Sequence, residues 1–114
     1  MPYVDLTTTA AVSPDKAAAL KAGFGKVIES FPGKTENWLM VRISGDEKLW
    51  FRGDDSADSA MVDVHLFGTV SAGESDKMTA AVTELLGREL GIAPDRIYIK
   101  YSGYEYWGWN GRNF

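Results

Sequence analysis

The sequence contains no cysteine and only one histidine among its 114 residues. Without thiols there can be no disulfide, no thiol nucleophile and no CxxC redox or zinc motif. No apolar run reaches the roughly 18 residues of a membrane span, and no basic, then apolar, stretch marks a signal peptide. No phosphate-binding glycine motif is present either. We therefore expect a cytoplasmic protein with no membrane partner, no metal and no cofactor.

Positive charge is also scarce. Twelve Lys and Arg residues stand against sixteen Asp and Glu residues, so the net charge is −4. Nucleic-acid binding needs a basic stripe that neutralises phosphates, and none is present. The three aspartates at 54, 55 and 58 lack the spacing of a calcium loop and predict a solvated loop. The lone His65 predicts a structural strand residue. Hydrophobic content of 45% and charge of 25% predict one globular domain over residues 1–114.

Hydrophobic periodicity predicts a strand, a helix and a strand in the first half of the chain. A short strand follows Met1, and Ser13 and Pro14 form a helix start with an N-cap serine and proline at the first position. Pro32-Gly33 ends this helix. The runs 38–44 and 48–51 then read as two short strands.

The second half repeats this order. Residues 60–67 predict a strand, and Ser71 with Glu74 has the spacing of a capping box. A helical stripe runs to Gly91, and residues 96–102 predict a further strand. The tail after residue 102 is rich in aromatic residues and glycine.

The two halves also match in sequence, residues 2–44 against residues 60–102. At an offset of 58 positions the identities are Val4/Val62, Asp5/Asp63, Val12/Val70, Ser13/Ser71, Ala22/Ala80, Gly33/Gly91 and Ser44/Ser102. Two right-handed βαβ units give an α/β (α+β) fold, a four-stranded mixed sheet with both helices on one face. Apolar residues on the other sheet face then predict self-association.

Five motifs carry a resemblance to a known family. They are MPYV at the start, GK at 33–34, VHLFG at 64–68, LGIAPDRIYIKY at 90–101, and WGWN at 107–110 with the final Phe114. Together they resemble the macrophage migration inhibitory factor family of the tautomerase superfamily. The resemblance implies a homotrimer whose sheets surround a central channel. It also implies a cofactor-independent keto–enol tautomerase, of the phenylpyruvate tautomerase or dopachrome isomerase kind, acting on a small and aromatic α-keto or enol acid.

Pro2 is the candidate base of that reaction. A small residue at position two allows Met1 to be removed, which would leave Pro2 with a free secondary amine. An α-amino group titrates near ~8, so it can accept a proton close to neutral pH. Burial and a nearby cation, such as Lys34, would lower the pKa of this amine further. In the family that the sequence resembles, this proline is the catalytic base.

The resemblance also implies the substrate-binding residues. Lys34 would hold the substrate carboxylate, the backbone amide of Phe67 would assist it, and Tyr98 would enter the pocket of a neighbouring subunit. Four further side chains would line an aromatic mouth: Tyr3, Trp107, Trp109 and Phe114. Taken without the resemblance, these residues would be ordinary packed or solvated side chains.

Two departures from the family pattern stand out. Lys100 occupies a position where the family has asparagine, and a cation there would favour an enolate or a second carboxylate. Tyr98 and Lys100 are two positions apart, and residues at that spacing share one face of a strand. Lys100 would therefore enter the neighbour's pocket with Tyr98, unless it points to solvent at a sheet end. Ser59 and Val62 replace the family's CxxC, so thiol-oxidoreductase activity is not carried over.

Two other functions remain open. The chain could be a cytokine or host-modulating protein that binds a receptor and leaves cells without a signal peptide. It could also be a proline-dependent decarboxylase or dehalogenase of small acids. Arg42 and Arg52 are the candidate arginines for that chemistry, although the expected constellation around them is missing.

Overall fold

A single four-stranded mixed sheet carries two helices on one face. The computed structural model describes all residues, 1–114. The elements are β1 (Pro2–Thr8), α1 (Pro14–Val27), β2 (Met40–Ser44), β3 (Ala60–Phe67), α2 (Ala72–Leu90), β4 (Ile97–Tyr104), β5 (Gly108–Trp109) and β6 (Arg112–Asn113). The strand order is β2-β1-β3-β4. The outer pairs are parallel and the central pair β1–β3 is antiparallel. The predicted sheet and helices are confirmed.

Both helices begin at the serines that the sequence indicated. The Ser13 hydroxyl accepts a hydrogen bond from the Lys16 amide at 3.2 Å, and the Ser71 hydroxyl accepts one from Glu74 at 3.2 Å. These bonds satisfy backbone donors that have no partner within the helix. Helix α2 ends at Gly91, whose φ of 68° is a left-handed conformation that glycine adopts without strain.

The core lies between the helices and one face of the sheet. Alternate residues of β1 and β3 are buried, as the period of a strand requires. The helices contribute residues at helical spacing. The buried side chains are Val4, Leu6, Val62, Val64 and Leu66 from the sheet, and Leu20, Phe24, Ile28, Met78, Val82, Leu85 and Leu86 from the helical layer. Neither helix is both long and apolar enough to cross a membrane.

The open face of the sheet is more polar than the sequence predicted. Strand register aligns Arg42, Asp5, Asp63 and Lys100 in one row across all four strands. The Lys100 ammonium lies 3.3 Å from the Asp63 carboxylate, whereas one buried oxygen of Asp5 has no partner. The strict two-residue period places both aspartates on this face. The sequence predicted an apolar second face, and for the central row of that face the prediction is wrong.

The predicted strand at 48–51 does not form. The amides of Asp46 and Glu47 bond to carbonyls at the end of β1 and just beyond it, and only an isolated bridge joins Phe51 to Asp54. Strand propensity depends on a partner strand, and residues 48–50 have none within the chain. Strand β2 also begins later than predicted, because residues 36–38 form a 3₁₀ turn.

The glycine-rich tail forms a hairpin that the sequence analysis did not predict. Strands β5 and β6 pair around Asn110 and Gly111, which have φ values of 54° and 86°. Positive φ at both central residues defines a two-residue hairpin turn for which Asn-Gly is the preferred sequence. The Asn-Gly pair between Trp109 and Arg112 was the available signal.

The acidic loop before β3 is held in place by one arginine. The Arg96 guanidinium donates to the carbonyls of Asp54 at 2.9 Å and Asp58 at 3.0 Å, and to the Ser59 hydroxyl at 3.0 Å. Hydrogen bonds from Ser56, with Arg96 nearby, lower the pKa of the Asp54 carboxyl. The three aspartates are exposed in a loop, as the sequence predicted, and Arg96 fixes the path of that loop.

A close backbone contact at the end of β4 gives a test of the fold. A Cβ added at Gly103 would clash with the carbonyl oxygen of Gly68, and backbone cannot move aside as a side chain can. We expect Gly103→Ala to lower the free energy of unfolding by about 1–3 kcal/mol. Gly73→Ala is the matched control, because a Cβ there meets nothing within 4 Å. Urea unfolding of both variants checks this, and equal midpoints would refute the contact.

Candidate functional site

A cavity of about 710 Å³ opens at the start of β1. Pro2 lies in its wall, and half of the other lining residues are Tyr or Trp. The aromatic lining residues are Tyr3, Trp38, Tyr104, Tyr106, Trp107 and Trp109. A cavity of this size and character suits a small ligand with an apolar ring.

Sheet topology explains why these residues meet. Strands β1 and β2 are parallel, so both begin at the same end of the sheet, where Tyr3 pairs with Met40. Strand β3 runs the other way and ends there, so Pro2 pairs with Leu66 and Tyr3 with His65. Strand β4 is parallel to β3 and also ends there, so the aromatic tail begins at the same end of the sheet. The site therefore combines the N-terminus with segments from both halves of the chain.

The amino terminus lies against Lys34 and Phe67. Burial, then the charge of Lys34 and a hydrogen bond with it, lower the pKa of the Met1 amine. The Lys34 ammonium donates to the Phe67 carbonyl at 3.1 Å, and the Phe67 amide donates to the Met1 carbonyl at 3.0 Å. Met1 thus contacts the two polar groups that were predicted to bind a carboxylate, the Lys34 ammonium and the Phe67 amide.

Aromatic side chains from three segments pack together; Trp38 and Trp109 line the cavity and form its aromatic wall, whereas Phe67 and Phe114 are not among the lining residues. The Trp109 ring packs edge-on against Trp38 at 5.2 Å and stacks on Phe114 at 6.1 Å. Phe114 in turn packs against Phe67 at 5.5 Å. The β5–β6 hairpin holds Trp109 in this position. Because rings of this kind offer flat apolar faces, the wall can stack the ring of an aromatic ligand.

His65 belongs to the cavity, although the sequence indicated only a structural role. Its ring stacks on Tyr3 with centroids 5.4 Å apart, and its Nδ1 lies 2.6 Å from the Tyr104 hydroxyl. The Tyr104 ring packs against Trp107 at 5.8 Å. The sequence analysis also missed Trp38, Tyr104 and Tyr106 as lining residues. The strand register could have indicated His65, but pairings between strands are not readable from one sequence.

Tyr98 and Lys100 lie away from Pro2 within the chain. Tyr98 pairs with Met61, five residues along β3 from the partner of Pro2, which is about 17 Å at strand spacing. Its side chain is 63% exposed and rests against the Phe51 ring at 5.1 Å. Lys100 lies in the charged row of the open face. One chain alone does not bring either residue to the cavity.

The chemistry of this site centres on one amine. No group of three or more His, Asp or Glu side chains is placed to hold a metal ion. An amine with a lowered pKa can accept a proton near neutral pH, and the lysine beside it can bind an anion. The site therefore combines a basic amine and a cation with an aromatic-lined cavity.

The sheet order, the paired helices and the N-terminal cavity define the tautomerase-fold class of α/β proteins. A family model described as "Macrophage migration inhibitory factor (MIF)" matches residues 1–114. The chain belongs to this family. A relative named "Macrophage migration inhibitory factor" from Meriones unguiculatus is 31% identical over 84 residues, which is 72% of each chain.

Solved structures show the same fold. The crystal structure of Leishmania major MIF2 is 30% identical and has a TM-score of 0.92, covering 100% of this chain and 97% of its own. A homologue from Prochlorococcus marinus, 24% identical, has a TM-score of 0.86 and covers 98% of each chain. At that identity the likeness concerns the fold alone.

The contact between Lys34 and the amino terminus predicts a pKa change. Lys34→Gln removes a positive charge and a hydrogen bond that both lower the amine pKa, so this pKa should rise. It should remain below ~8, because burial is the largest cause and persists. An NMR titration of the α-amine measures this, with Lys26→Gln on the exposed side of α1 as control. The same amine pKa in both variants would contradict the contact.

Proposed function

We propose that this protein is a cofactor-independent keto–enol tautomerase of the phenylpyruvate type, and that the Pro2 amine is its base once Met1 is removed. The observation that carries the proposal is the position of Met1. Its amine lies against Lys34 and its carbonyl accepts the Phe67 amide. Met1 therefore fills the space in which an anionic ligand would be bound.

Removal of Met1 would free both groups at once. The Phe67 amide would lose its acceptor, and the Lys34 ammonium would keep only the Phe67 carbonyl as a partner. An ammonium and a backbone N–H that both contact the residue to be removed suit a carboxylate in its place, because charge-assisted hydrogen bonds are the stronger ones. Lys34 and Phe67 are thus proposed to anchor the acid group of the substrate.

The new N-terminus would then be the Pro2 amine in the cavity wall. Pro2 is buried while Met1 covers it, and the apolar side chains that remain around it would penalise the protonated form of its amine. Lys34 adds repulsion from a like charge. Both effects act to lower the pKa of the Pro2 amine and so favour the unprotonated form, which can accept a proton.

The proposed reaction moves a single proton. In the keto-to-enol direction, the Pro2 amine removes a proton from the carbon beside the carbonyl and the resulting ammonium delivers it to the carbonyl oxygen. The reverse direction takes the enol proton and places it on carbon. No electrons are transferred to another group. The wall formed by Trp38 and Trp109 is proposed to stack the aromatic ring of the substrate, with Phe114 supporting Trp109 from its own stacked position. Tyr3 and Trp107 border the cavity.

The proposed assembly is a homotrimer. Tyr98 and Lys100 are far from Pro2 in their own chain, and they lie on strand β4 at a free edge of the sheet. A neighbouring copy could place them at the cavity, and rings of copies use one such heterologous contact repeatedly. We retain both residues as proposed site residues on this basis. To reach the neighbouring cavity, the Lys100 ammonium would leave the Asp63 carboxylate of its own chain.

A signalling role is the second candidate, favoured by the curated relatives, which are named macrophage migration inhibitory factor. Receptor binding that survives Pro2→Gly would separate it from catalysis. The decarboxylase or dehalogenase alternative has less support, since neither of its candidate arginines lines the cavity. Arg42 lies in the charged row, and Arg52 lies in the loop before β3.

The N-terminal residue gives the most direct test of the reaction. Intact mass should show a chain that begins at Pro2. Pro2→Gly, or an extension retained ahead of Pro2, should lower kcat/KM for phenylpyruvate by about 100-fold or more, because the base is altered or capped. Proteolytic removal of the extension should restore activity, which controls for misfolding. Full activity in a chain whose extension is verified by mass would exclude Pro2 as the base.

The proposed trimer predicts complementation between two damaged chains. Light scattering should give a mass about three times the 12.5 kDa of one chain. Pro2→Gly and Tyr98→Ala chains should each be weakly active alone. Refolded together in equal amounts, they should recover about a quarter of wild-type activity. In about half of the sites Pro2 is intact, and in about half of those the neighbouring chain supplies an intact Tyr98. A monomer mass, or no recovery on mixing, would contradict a shared site.

A further inference from the structure

The polar pair in the cavity wall, His65 and Tyr104, has no role in the proton transfer described above. The Tyr104 hydroxyl and His65 Nδ1 are 2.6 Å apart, and both residues line the cavity together with Pro2. Tyr3 stacks on the other side of the imidazole, and Trp107 packs against the phenol ring. Neighbours on both sides therefore hold the two rings in place.

We propose that the Tyr104 hydroxyl binds the reacting oxygen of the substrate and that His65 positions it. This inference rests on the proposed tautomerase function and deepens it. Tyr104 would be a catalytic residue in contact with the substrate. His65 would be a positioning residue that acts through Tyr104.

The hydrogen-bonding needs of the two substrate forms support the assignment. A ketone oxygen can only accept a hydrogen bond, whereas an enol oxygen also donates one. A phenol hydroxyl can do either, and an imidazole nitrogen can donate or accept according to its protonation. When Nδ1 donates to Tyr104, the O–H points to the ketone oxygen. When Nδ1 accepts, the phenol oxygen is free to accept the enol O–H. The pair can therefore serve both forms.

Asp63 and Lys100 extend this arrangement across the open face of the sheet. His65 Nε2 lies 4.0 Å from an Asp63 carboxylate oxygen, and the same oxygen lies 3.3 Å from the Lys100 ammonium. A carboxylate near Nε2 favours a proton on that nitrogen, so Nδ1 accepts from the Tyr104 hydroxyl when the ring is neutral and donates to it when the ring is an imidazolium. Within one chain, Lys100 thus reaches the cavity only through Asp63 and His65.

The test is a double-mutant cycle in the chain that begins at Pro2. Tyr104→Phe and His65→Phe each keep a ring in place and remove one half of the pair. We expect Tyr104→Phe to lower kcat for phenylpyruvate by about 100-fold, as loss of a donor to a developing oxyanion does. KM should change by less than about threefold, because the proposed carboxylate anchor and aromatic wall remain. The double variant should match Tyr104→Phe alone.

A conservative variant and a matched control distinguish positioning from packing. His65→Asn retains an amide close to the position of Nδ1 and should recover most of the kcat that His65→Phe loses. Tyr101→Phe removes a hydroxyl that is bonded to Thr79 at 2.7 Å on the helical side of the sheet. It should leave kcat unchanged. Thermal unfolding of every variant verifies that the fold is intact.

Other results would contradict either the role of the His65–Tyr104 pair or the proposed function itself. Wild-type kcat in Tyr104→Phe, or losses that multiply in the double variant, would overturn the role of the pair and leave the tautomerase proposal standing. An equal loss in Tyr101→Phe would also overturn it. A wild-type protein that begins at Pro2 and has no tautomerase activity would overturn the proposed function and this inference together.

Discussion

The first residues of this chain form an interior strand, and the site depends on that constraint. Strand β1 is paired on both sides, to β2 and to β3, from its first residues onward. Chain termini are usually mobile unless they are tied down in this way. Here the sheet register holds the amine beside Lys34, and burial lowers the pKa of that amine. A fold that began with a loop would leave the same amine solvated and unplaced.

The rest of the cavity is built around that fixed end by both halves of the chain. Strand β3 brings Phe67 and His65 to the N-terminus, and the turn after α1 brings Lys34. The C-terminal hairpin closes the wall with aromatic rings. Each part alone is ordinary: a lysine after a helix, a strand histidine, a tryptophan hairpin. Their meeting at one end of the sheet produces an aromatic-lined cavity beside an amine and a lysine.

The sequence predicted what is local and missed what needs a partner. The helix starts at Ser13 and Ser71 follow from capping chemistry within four residues, and the helical stripes follow from periodicity. The pairing of His65 with Tyr104 joins residues 39 positions apart, which no single pattern reveals. Residues 48–51 have the composition of a strand but no neighbour within the chain. The match between residues 2–44 and 60–102 remains an interpretation, consistent with a parallel strand pair in each half.

The N-terminal amine of Pro2 is the group proposed to accept the proton. A base must be unprotonated to act, so kcat/KM should fall as the pH drops below the pKa of this amine in the free protein. The decisive measurement is the pH dependence of kcat/KM for phenylpyruvate beside an NMR titration of ¹⁵N-labelled Pro2 in the same protein. The account predicts that the acidic limb and the amine titration share one midpoint, below ~8. An acidic limb that does not follow the Pro2 titration would contradict it.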